Sequence, residues 1–269
     1  MSETPASQQT LEPLVELLGV EKAFGTQKVL RGVDLKLFES ETLVVIGRSG
    51  SGKSVTIKHV VGLEAPDRGQ VLVFGRDMAK LSRKERDQAR LRMGYLFQSS
   101  ALLNWMTIEE NVELPLLEHR ADLSASERRQ LVAEKLKLVE MEAAAGKYPG
   151  QISGGMKKRA ALARAIVLGP RIILYDEPTS GLDPVIARTI DEVIANTGKT
   201  LKASQVVVTH DMDSAYRVGH RIAMLYEGRI IASGTPEEIK STNHPVVQQF
   251  ITGSPHGPIT DGLLAQNKH

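Results

Sequence analysis

The sequence predicts an α/β fold, a doubly wound core of strands and helices that is interrupted by a helical insertion at about residues 99–165. Three observations carry this prediction. Short apolar runs of strand length alternate with helical patterns along most of the chain. A glycine-rich segment at residues 47–52 directly follows one of these runs and opens a helix. The middle of the chain carries helical patterns in place of strand-like runs, which indicates an insertion into the core.

The first part of the chain predicts strands that surround one helix. That helix is expected at residues 53–62, directly after the glycine-rich segment. Residues 66–69 have the composition of a turn, and the charged stretch 82–92 is typical of an exposed helix. Strand-like runs lie at residues 14–20, 29–37, 42–46 and 70–74.

The second part of the chain predicts helices followed by a return to strands. Helical patterns at residues 107–114 and 124–139 are broken by Pro115 and by the turn at 148–150. A further helix opens near residue 153 and continues to about 166. The pattern is expected to end near Ser241, before one short amphipathic turn at 243–251. Strand-like runs return at residues 171–175, 205–208, 220–226 and 229–233.

Length and composition limit the kinds of protein that this chain can be. With 269 residues, of which 41% are hydrophobic and 25% charged, it can form one large domain, or one domain with an inserted lobe. The net charge of +2 gives no electrostatic reason to expect nucleic-acid binding. The absence of cysteine excludes disulfides and thiolate metal sites. No apolar stretch is long enough to cross a bilayer and residues 1–12 are polar, so we expect a soluble cytosolic protein or one that reaches a membrane through a partner.

The glycine-rich segment has the spacing of a phosphate-binding loop, G-x-x-x-x-G-K-[ST], after the apolar run 42–46. Its glycines allow successive backbone N–H groups to converge on phosphate oxygens. The lysine adds a positive charge, and the final hydroxyl can ligate Mg²⁺. The segment therefore predicts binding of a nucleoside triphosphate by Gly47, Arg48, Ser49, Gly50, Ser51, Gly52, Lys53 and Ser54.

Two adjacent carboxylates, Asp176 and Glu177, follow a second apolar run at residues 172–175. Because side chains alternate along a strand, the two carboxylates are expected to point in different directions and to do different work. Asp176 is predicted to belong to the Mg²⁺ shell and Glu177 to polarise the attacking water. Taken alone, two acidic residues before Pro178 are also typical of an ordinary surface turn.

A third segment opens the helix that begins near residue 153. Ser153 is a favourable N-cap, and Gly154 and Gly155 would leave backbone N–H groups and the positive end of the helix dipole open to an anion. A plain capped helix is the alternative interpretation.

Together these segments resemble the nucleotide-binding subunit of ABC transporters, over about residues 14–235. The resemblance implies a P-loop NTPase (RecA-like) core with an antiparallel β subdomain and an inserted helical subdomain at about 99–165. It implies an ATPase domain at residues 14–252, with ATP as substrate and Mg²⁺ as cofactor. It also implies that two copies of the chain sandwich ATP between them, because the phosphate loop and the segment at 153–155 lie on different lobes.

The resemblance assigns roles to further residues. Phe24 resembles the aromatic residue that stacks on adenine, although a core phenylalanine is the alternative. Gln98, at the end of the run 93–97, resembles the glutamine that contacts Mg²⁺ and the attacking water. Asp183 resembles the loop residue that communicates across the dimer. His210 resembles the switch histidine on the γ-phosphate. The residues that would bind the γ-phosphate held by the other subunit are Ser153, Gly154 and Gly155.

Where the chain departs from the common pattern of the family, it resembles one subfamily, the Mla/Mkl-type lipid-transport ATPases. Ile152 and Met156 stand where leucine and glutamine or glutamate are usual, and Val55 replaces the usual threonine but keeps its backbone N–H for nucleotide binding. The runs 97–102 and 153–166 carry the subfamily resemblance. It implies phospholipid transport between the inner and outer membranes of bacteria, at the cytoplasmic face of the inner membrane. The implied partners are an integral membrane permease, a lipid-binding membrane-anchored subunit and a small STAS-domain protein.

Other functions within the family remain open on the sequence. One alternative is the ATPase of a polar-solute importer, and another is a non-transport ABC ATPase of cell division or cluster assembly. An ABC ATPase linked to nucleic acid would need a long coiled coil, a zinc site or a second cassette, none of which the sequence contains.

Two segments suggest contacts with partners. Leu102, Leu103, Trp105 and Met106 either form a groove for a permease helix or pack the helical insertion. Residues 253–269 are rich in proline and glycine and predict a disordered end in an isolated subunit, or an extension that contacts the dimer or a partner. Its apolar anchors would be Phe250, Ile251, Ile259, Leu263 and Leu264.

Overall fold

The computed structural model describes residues 12–261. The strands are β1 Val15–Phe24, β2 Gln27–Leu37, β3 Thr42–Ile46, β4 Arg68–Val73, β5 Arg76–Asp77, β6 Met93–Leu96, β7 Ile172–Asp176, β8 Ser204–Thr209, β9 Arg221–Tyr226 and β10 Arg229–Gly234. The helices are α1 Lys53–Val60, α2 Arg83–Arg90, α3 Ile108–His119, α4 Ala125–Leu138, α5 Gly154–Ile166, α6 Pro184–Leu201, α7 Met212–Val218, α8 Pro236–Ser241 and α9 Pro245–Thr252.

The strands form two sheets, and the predicted mixture of parallel and antiparallel sheets is confirmed. The larger sheet has the order β10-β9-β3-β8-β7-β6. Its strands from β9 to β6 are parallel, and β10 pairs antiparallel with β9. The smaller sheet, of order β2-β1-β4-β5, is antiparallel throughout.

The central strands are almost continuously apolar because both of their faces are buried. Along β3, Val44 and Ile46 belong to the core that includes α3–α7, whereas Leu43 and Val45 belong to the core shared with the antiparallel sheet. Residues of β7 and β8 divide between the same two cores. Since the strands of this sheet run parallel, the carboxyl ends of β3, β7 and β8 meet at one edge, where ligands bind in open α/β sheets.

The helical insertion lies between β6 and β7. The stretch predicted at 99–165 contains α3 and α4 and nearly all of α5, and no strand occurs between residues 97 and 171. The prediction that Pro115 ends a helix is wrong, because α3 continues through it to His119. Burial of Ile108, Val112 and Leu116 along one face of α3 offsets the hydrogen bond that the proline removes.

The C-terminal prediction needs correction. The fold does not end near Ser241, since α9 follows and buries Val247 completely. Residues 253–261 are not a disordered end: the Gln249 amide donates to Ser254 O at 3.2 Å and accepts from Ile259 N–H at 2.7 Å. Ile259 is buried, and Phe250 and Ile251 also pack on the chain's own core. These three side chains are therefore not the free anchors predicted, and Leu263 and Leu264 lie outside the described residues.

In the part of the chain that the structure describes, we found no helix with both the length and the apolar character of a membrane span.

Candidate functional site

The phosphate loop turns tightly between β3 and α1 and fits closely against its surroundings. Gly47 has φ 155°, and a Cβ placed there would lie 2.3 Å from the carbonyl oxygen of Leu225 in β9. Gly52 has φ 104°, and a Cβ there would lie 2.8 Å from a methyl of Leu30. Only glycine fits both the conformation and the space at these positions.

Polar groups of the loop are directed into its concavity. The Lys53 ammonium is buried and donates to Gly47 O at 2.8 Å and to Arg48 O at 3.1 Å. The hydroxyl of Ser51 is buried and has no hydrogen-bond partner among the described residues. A buried hydroxyl without a partner is costly. Phosphate oxygens would supply the acceptors that this loop lacks.

Asp176 ends β7 and faces the phosphate loop. Its Oδ1 accepts a hydrogen bond from the Ser54 hydroxyl at 2.6 Å, and its Oδ2 accepts one from the Tyr95 hydroxyl at 3.1 Å. Burial and the Asp176 charge raise the pKa of Tyr95, which therefore stays a hydrogen-bond donor. The tyrosine fixes one carboxylate oxygen and leaves the other directed at Ser54.

Glu177 points in a different direction from Asp176, and it does so in the turn directly after β7 and not by alternation along the strand. One of its carboxylate oxygens lies 3.2 Å from the Lys53 ammonium, and the other lies 2.8 Å from Nδ1 of His210. The residue is buried and has a left-handed backbone with φ 48°. Its N–H donates to Val208 O at 3.0 Å, which helps to hold a conformation that a non-glycine residue adopts at a cost.

The side-chain oxygens of Ser54 and Asp176 would suit a magnesium ion as ligands, because Mg²⁺ prefers hard oxygen ligands and takes few of them from protein. Within residues 12–261, no group of three or more His, Cys, Asp or Glu side chains is placed to hold a metal. The remaining ligands would come from phosphate and water.

Gln98 reaches this cluster through its backbone. It follows β6 and is exposed, and its carbonyl oxygen accepts a hydrogen bond from the ammonium of Lys158 in α5. The same ammonium lies 3.4 Å from the carbonyl oxygen of Glu177.

The segment at 153–155 caps α5 as predicted, and it also packs against α6. The Ser153 hydroxyl accepts a hydrogen bond from Met156 N–H at 3.3 Å. Gly155 is buried, and a Cβ there would lie 2.4 Å from a methyl of Ile186. The second glycine therefore allows α5 to approach α6, while Ser153 and Gly154 are exposed.

Asp183 and Phe24, like Ser153, lie apart from the cluster. Asp183 is the N-cap of α6, and its carboxylate accepts from the N–H groups of Val185 and Ile186 at 3.1 and 3.0 Å. Phe24 is 45% exposed at the end of β1, so it is not a core phenylalanine. Among residues 12–261, no hydrogen bond joins Phe24, Asp183 or Ser153 to the Asp176–Glu177 pair.

The sequence left open whether the apolar segment after Gln98 packs the helical insertion or forms a groove for a permease helix, and its residues differ in this respect. Leu102 is half-buried and packs on the core of the helical insertion. Trp105 is 74% exposed and is therefore not a core residue.

Sequence reasoning missed Tyr95 and Lys158. A signal for the lysine was present, since Gly155, Lys158 and Leu162 repeat at helical spacing on one buried face of α5. A lysine within such a face indicates a buried cation. No sequence pattern predicts the bond between Tyr95 and Asp176.

Comparison with known proteins identifies the family. The model of the ABC transporter family matches residues 30–180 of the 269. A probable ribonucleotide transport ATP-binding protein, mkl, of Mycobacterium leprae is 41% identical over 91% of this chain and 70% of that protein. The intermembrane phospholipid transport system ATP-binding protein MlaF of Haemophilus influenzae is 34% identical over 94% of this chain and 96% of that protein.

A solved structure has the same fold. An ATP-binding cassette, determined as a dimer in a post-hydrolysis state with ADP and Pi, is 34% identical and gives a TM-score of 0.76 over 82% of this chain and 98% of that chain. With the phosphate loop and the carboxylate pair at the same sheet edge, these matches show that the chain belongs to the ABC transporter family, as an ATP-binding cassette that hydrolyses ATP.

Proposed function

We propose that this chain is the ATP-hydrolysing subunit of a bacterial ABC transporter that moves phospholipid between the inner and outer membrane. The observation that carries the proposal is the match to a phospholipid-transport ATPase over nearly the full length of both chains. The runs 97–102 and 153–166, which resemble the lipid-transport subfamily, support the same substrate.

A polar-solute transporter is the second candidate. The relative with 41% identity is named for ribonucleotide transport, and its identity to this chain is higher than that of the phospholipid relative. That relative is covered over 70% of its length, whereas the phospholipid relative is covered over 96%. We favour phospholipid because the match extends over the whole of that protein.

In the proposed site, the phosphate loop binds the ATP phosphates through its backbone N–H groups and the Lys53 ammonium. Phe24, which is exposed at the end of β1, stacks on adenine. Ser54 and Asp176 would hold Mg²⁺, with the Gln98 side chain as a further contact. When bound, the ion neutralises charge on the phosphates.

Glu177 is the residue proposed to polarise the attacking water. His210 supports it, because its Nδ1 is engaged with the carboxylate and its Nε2 remains to contact the γ-phosphate. Lys53 lies within 3.2 Å of the same carboxylate, so binding of phosphate would draw the lysine away from Glu177.

We propose that two copies of the chain form the complete site. Ser153 and Gly154 are exposed at the positive end of α5 and make no hydrogen bond to the Asp176–Glu177 pair within residues 12–261. A partner's nucleotide could reach them there. The related cassette that was solved as a dimer supports this arrangement. Asp183, at the start of α6, would lie near the dimer interface.

The proposed complex includes an integral membrane permease, a lipid-binding membrane-anchored subunit and a small STAS-domain protein. The chain would lie on the cytoplasmic face of the inner membrane, held by the permease. Exposed Trp105 and the neighbouring half-buried Leu103 are the proposed contacts for a permease helix.

Purification of the chain from detergent-solubilised membranes tests the substrate. We expect a permease and phospholipid to co-purify, and the reconstituted complex to hydrolyse ATP faster when phospholipid is presented than when ribonucleotide is presented. Stimulation by ribonucleotide alone would favour the second candidate. Co-purification with a soluble scaffold and no membrane subunit would contradict both.

A further inference from the structure

Lys158 is a buried cation at the junction of three segments. Only 6% of the residue is exposed, and its ammonium contacts the backbone carbonyl oxygens of Gln98 and Glu177. These carbonyls lie in the loop after β6 and in the turn after β7, while Lys158 itself is in the second turn of α5. One side chain thus joins a helix to two separate loops of the site.

The environment of this lysine is unusual for a structural residue. A buried ammonium is costly unless it is paired with an opposite charge. Within residues 12–261, its hydrogen bonds go to carbonyl oxygens and no ion pair joins it to a carboxylate. Burial lowers the pKa of Lys158, while the nearby charges of Asp176 and Glu177 oppose that shift. An apolar side chain of the same length would fill the space without this cost, so a purely packing role does not explain the lysine.

A second cation of α5 contacts the same loop. Arg164 donates to Ser100 O at 3.1 Å and to Ala101 O at 2.7 Å. Ser100 and Ala101 both have left-handed backbones, with φ of 64° and 49°. The first part of the loop after β6 is therefore held to α5 at two points, by Lys158 at Gln98 and by Arg164 at Ser100 and Ala101.

We propose that Lys158 is a positioning residue, which holds the loop of Gln98 and the backbone of Glu177 to the helix that begins at the exposed Ser153–Gly154 segment. The inference rests on the roles proposed above for Gln98 and Glu177. Because Glu177 is held in a left-handed conformation, its carboxylate direction depends on the turn that Lys158 anchors. Movement of α5 when a partner's nucleotide binds at its start would then move Gln98 and Glu177 together.

Two substitutions by unbranched or nearly unbranched side chains, each one heavy atom shorter than lysine, separate the hydrogen bonds from the packing. Lys158→Met keeps the apolar stem of the side chain and removes every donor. Lys158→Gln has the same reach as methionine and ends in an uncharged N–H₂ donor. Lys157→Met is the matched control, since this neighbour is a lysine of the same helix with only partial burial. Replacement of a buried ion by an apolar residue of similar volume preserves folding, and thermal melting checks this.

ATP turnover of the full chain, assembled with its membrane subunit, is measured against ATP concentration. We expect Lys158→Met to lower kcat by about 10- to 100-fold with an unchanged KM for ATP, because the water-polarising group is misplaced while the phosphate loop is intact. Lys158→Gln should recover part of the lost kcat through its remaining donor, and Lys157→Met should match the unsubstituted protein.

Unchanged kcat in Lys158→Met, equal losses in the Met and Gln variants, or a loss that appears in KM would each overturn the inference. Glu177→Gln is assayed in parallel. If Glu177→Gln abolishes turnover and Lys158→Met does not lower it, only the inference on Lys158 fails. If Glu177→Gln hydrolyses ATP at the normal rate, the catalytic role proposed for Glu177 is wrong, whatever Lys158→Met does.

Discussion

Nδ1 of His210 lies 2.8 Å from Oε2 of Glu177, so an imidazole directly after β8 and a carboxylate directly after β7 form one hydrogen-bonded pair. Glu177 is buried, whereas the His210 side chain is 51% exposed. The carboxylate thus links the exposed ring on one side to the Lys53 ammonium on the other. The pair is therefore the most direct place to test the proposed chemistry.

Glu177→Gln should keep ATP binding and lose ATP turnover, by about 100-fold or more, because the amide has the shape of the carboxylate without its charge. A closed ATP-bound dimer should accumulate and be visible by size-exclusion chromatography. Lys53→Ala is the matched variant, which should weaken ATP binding itself and give no such dimer. Near-normal turnover by Glu177→Gln in the full complex would rule out the role given to this residue.

Asp191→Ala should lower the free energy of unfolding by roughly 3 kcal/mol. Asp191 is completely buried in α6 and accepts hydrogen bonds from Ser214 and Arg217 of α7, so its removal leaves both donors unpaired. Denaturation by urea measures the loss. Glu192→Ala changes the exposed neighbour in the sequence and should have little effect, within about 0.5 kcal/mol. Equal stability of the two variants would contradict the prediction.

Glu85 predicts a pH-dependent contribution to stability. Hydrogen bonds from the Ser82 hydroxyl and N–H, together with Arg76, lower the pKa of Glu85 from 4.5 to about 2. Because the folded-state pKa lies below the unfolded value, the contribution is complete above pH 4.5 and is lost as the pH falls toward 2.

The difference in Tm between the unsubstituted protein and Glu85→Gln should therefore shrink as the pH is lowered below 4.5. Glu118→Gln, on the exposed side of α3, serves as the control, and its difference in Tm should be small at every pH. A Tm difference for Glu85→Gln that stays constant between pH 7 and pH 3 would contradict the assignment.

Trp105 is the only tryptophan, and its 74% exposure allows a fluorescence test of the permease contact. Addition of the permease should shift its emission to shorter wavelength, as the indole leaves water. Trp105→Ala should weaken assembly without a change in nucleotide binding. An unchanged spectrum in the assembled complex would place the contact elsewhere.

Two truncations separate structure from assembly at the C-terminus. Removal of residues 253–269 takes away buried Ile259 and the partners of the Gln249 amide, so we expect a lower Tm. Removal of 262–269 alone should weaken co-purification with partners, because the extension is proposed to contact them. Full assembly and full activity without residues 262–269 would contradict that role.

Local signals in the sequence predicted the strands that lead to the candidate site. The bounds of β3 match the prediction residue for residue, and the two carboxylates lie where the apolar run of β7 ends. Other local signals were present but unused. Asp183 followed by Pro184, with Ile190, Val193, Ile194 and Thr197 at helical spacing, indicates the 18-residue helix α6 that the prediction omitted.

The rest depends on contacts between distant parts of the chain. Lys158 contacts carbonyls that lie 60 and 19 residues away. A carbonyl oxygen has no sequence signature, so no pattern reveals such a bond before the fold is known. Ile259 is likewise buried, and the amide of Gln249, ten residues earlier, accepts the hydrogen bond of its backbone N–H, which would otherwise be buried without a partner. Composition alone predicted a disordered end for this stretch, because composition carries no information on one hydrogen-bond partner such as the Gln249 amide.

The close fit of Gly47 against the carbonyl of Leu225 has a consequence for genetics. Leu225 leads into the hairpin turn between β9 and β10, where Glu227 and Gly228 both have positive φ. A substitution that shifts this turn would push the strand backbone into the phosphate loop. Variants with substitutions at Gly228 should therefore bind nucleotide more weakly. A genetic screen for lost transport would recover them, although Gly228 has no side chain that could contact a nucleotide.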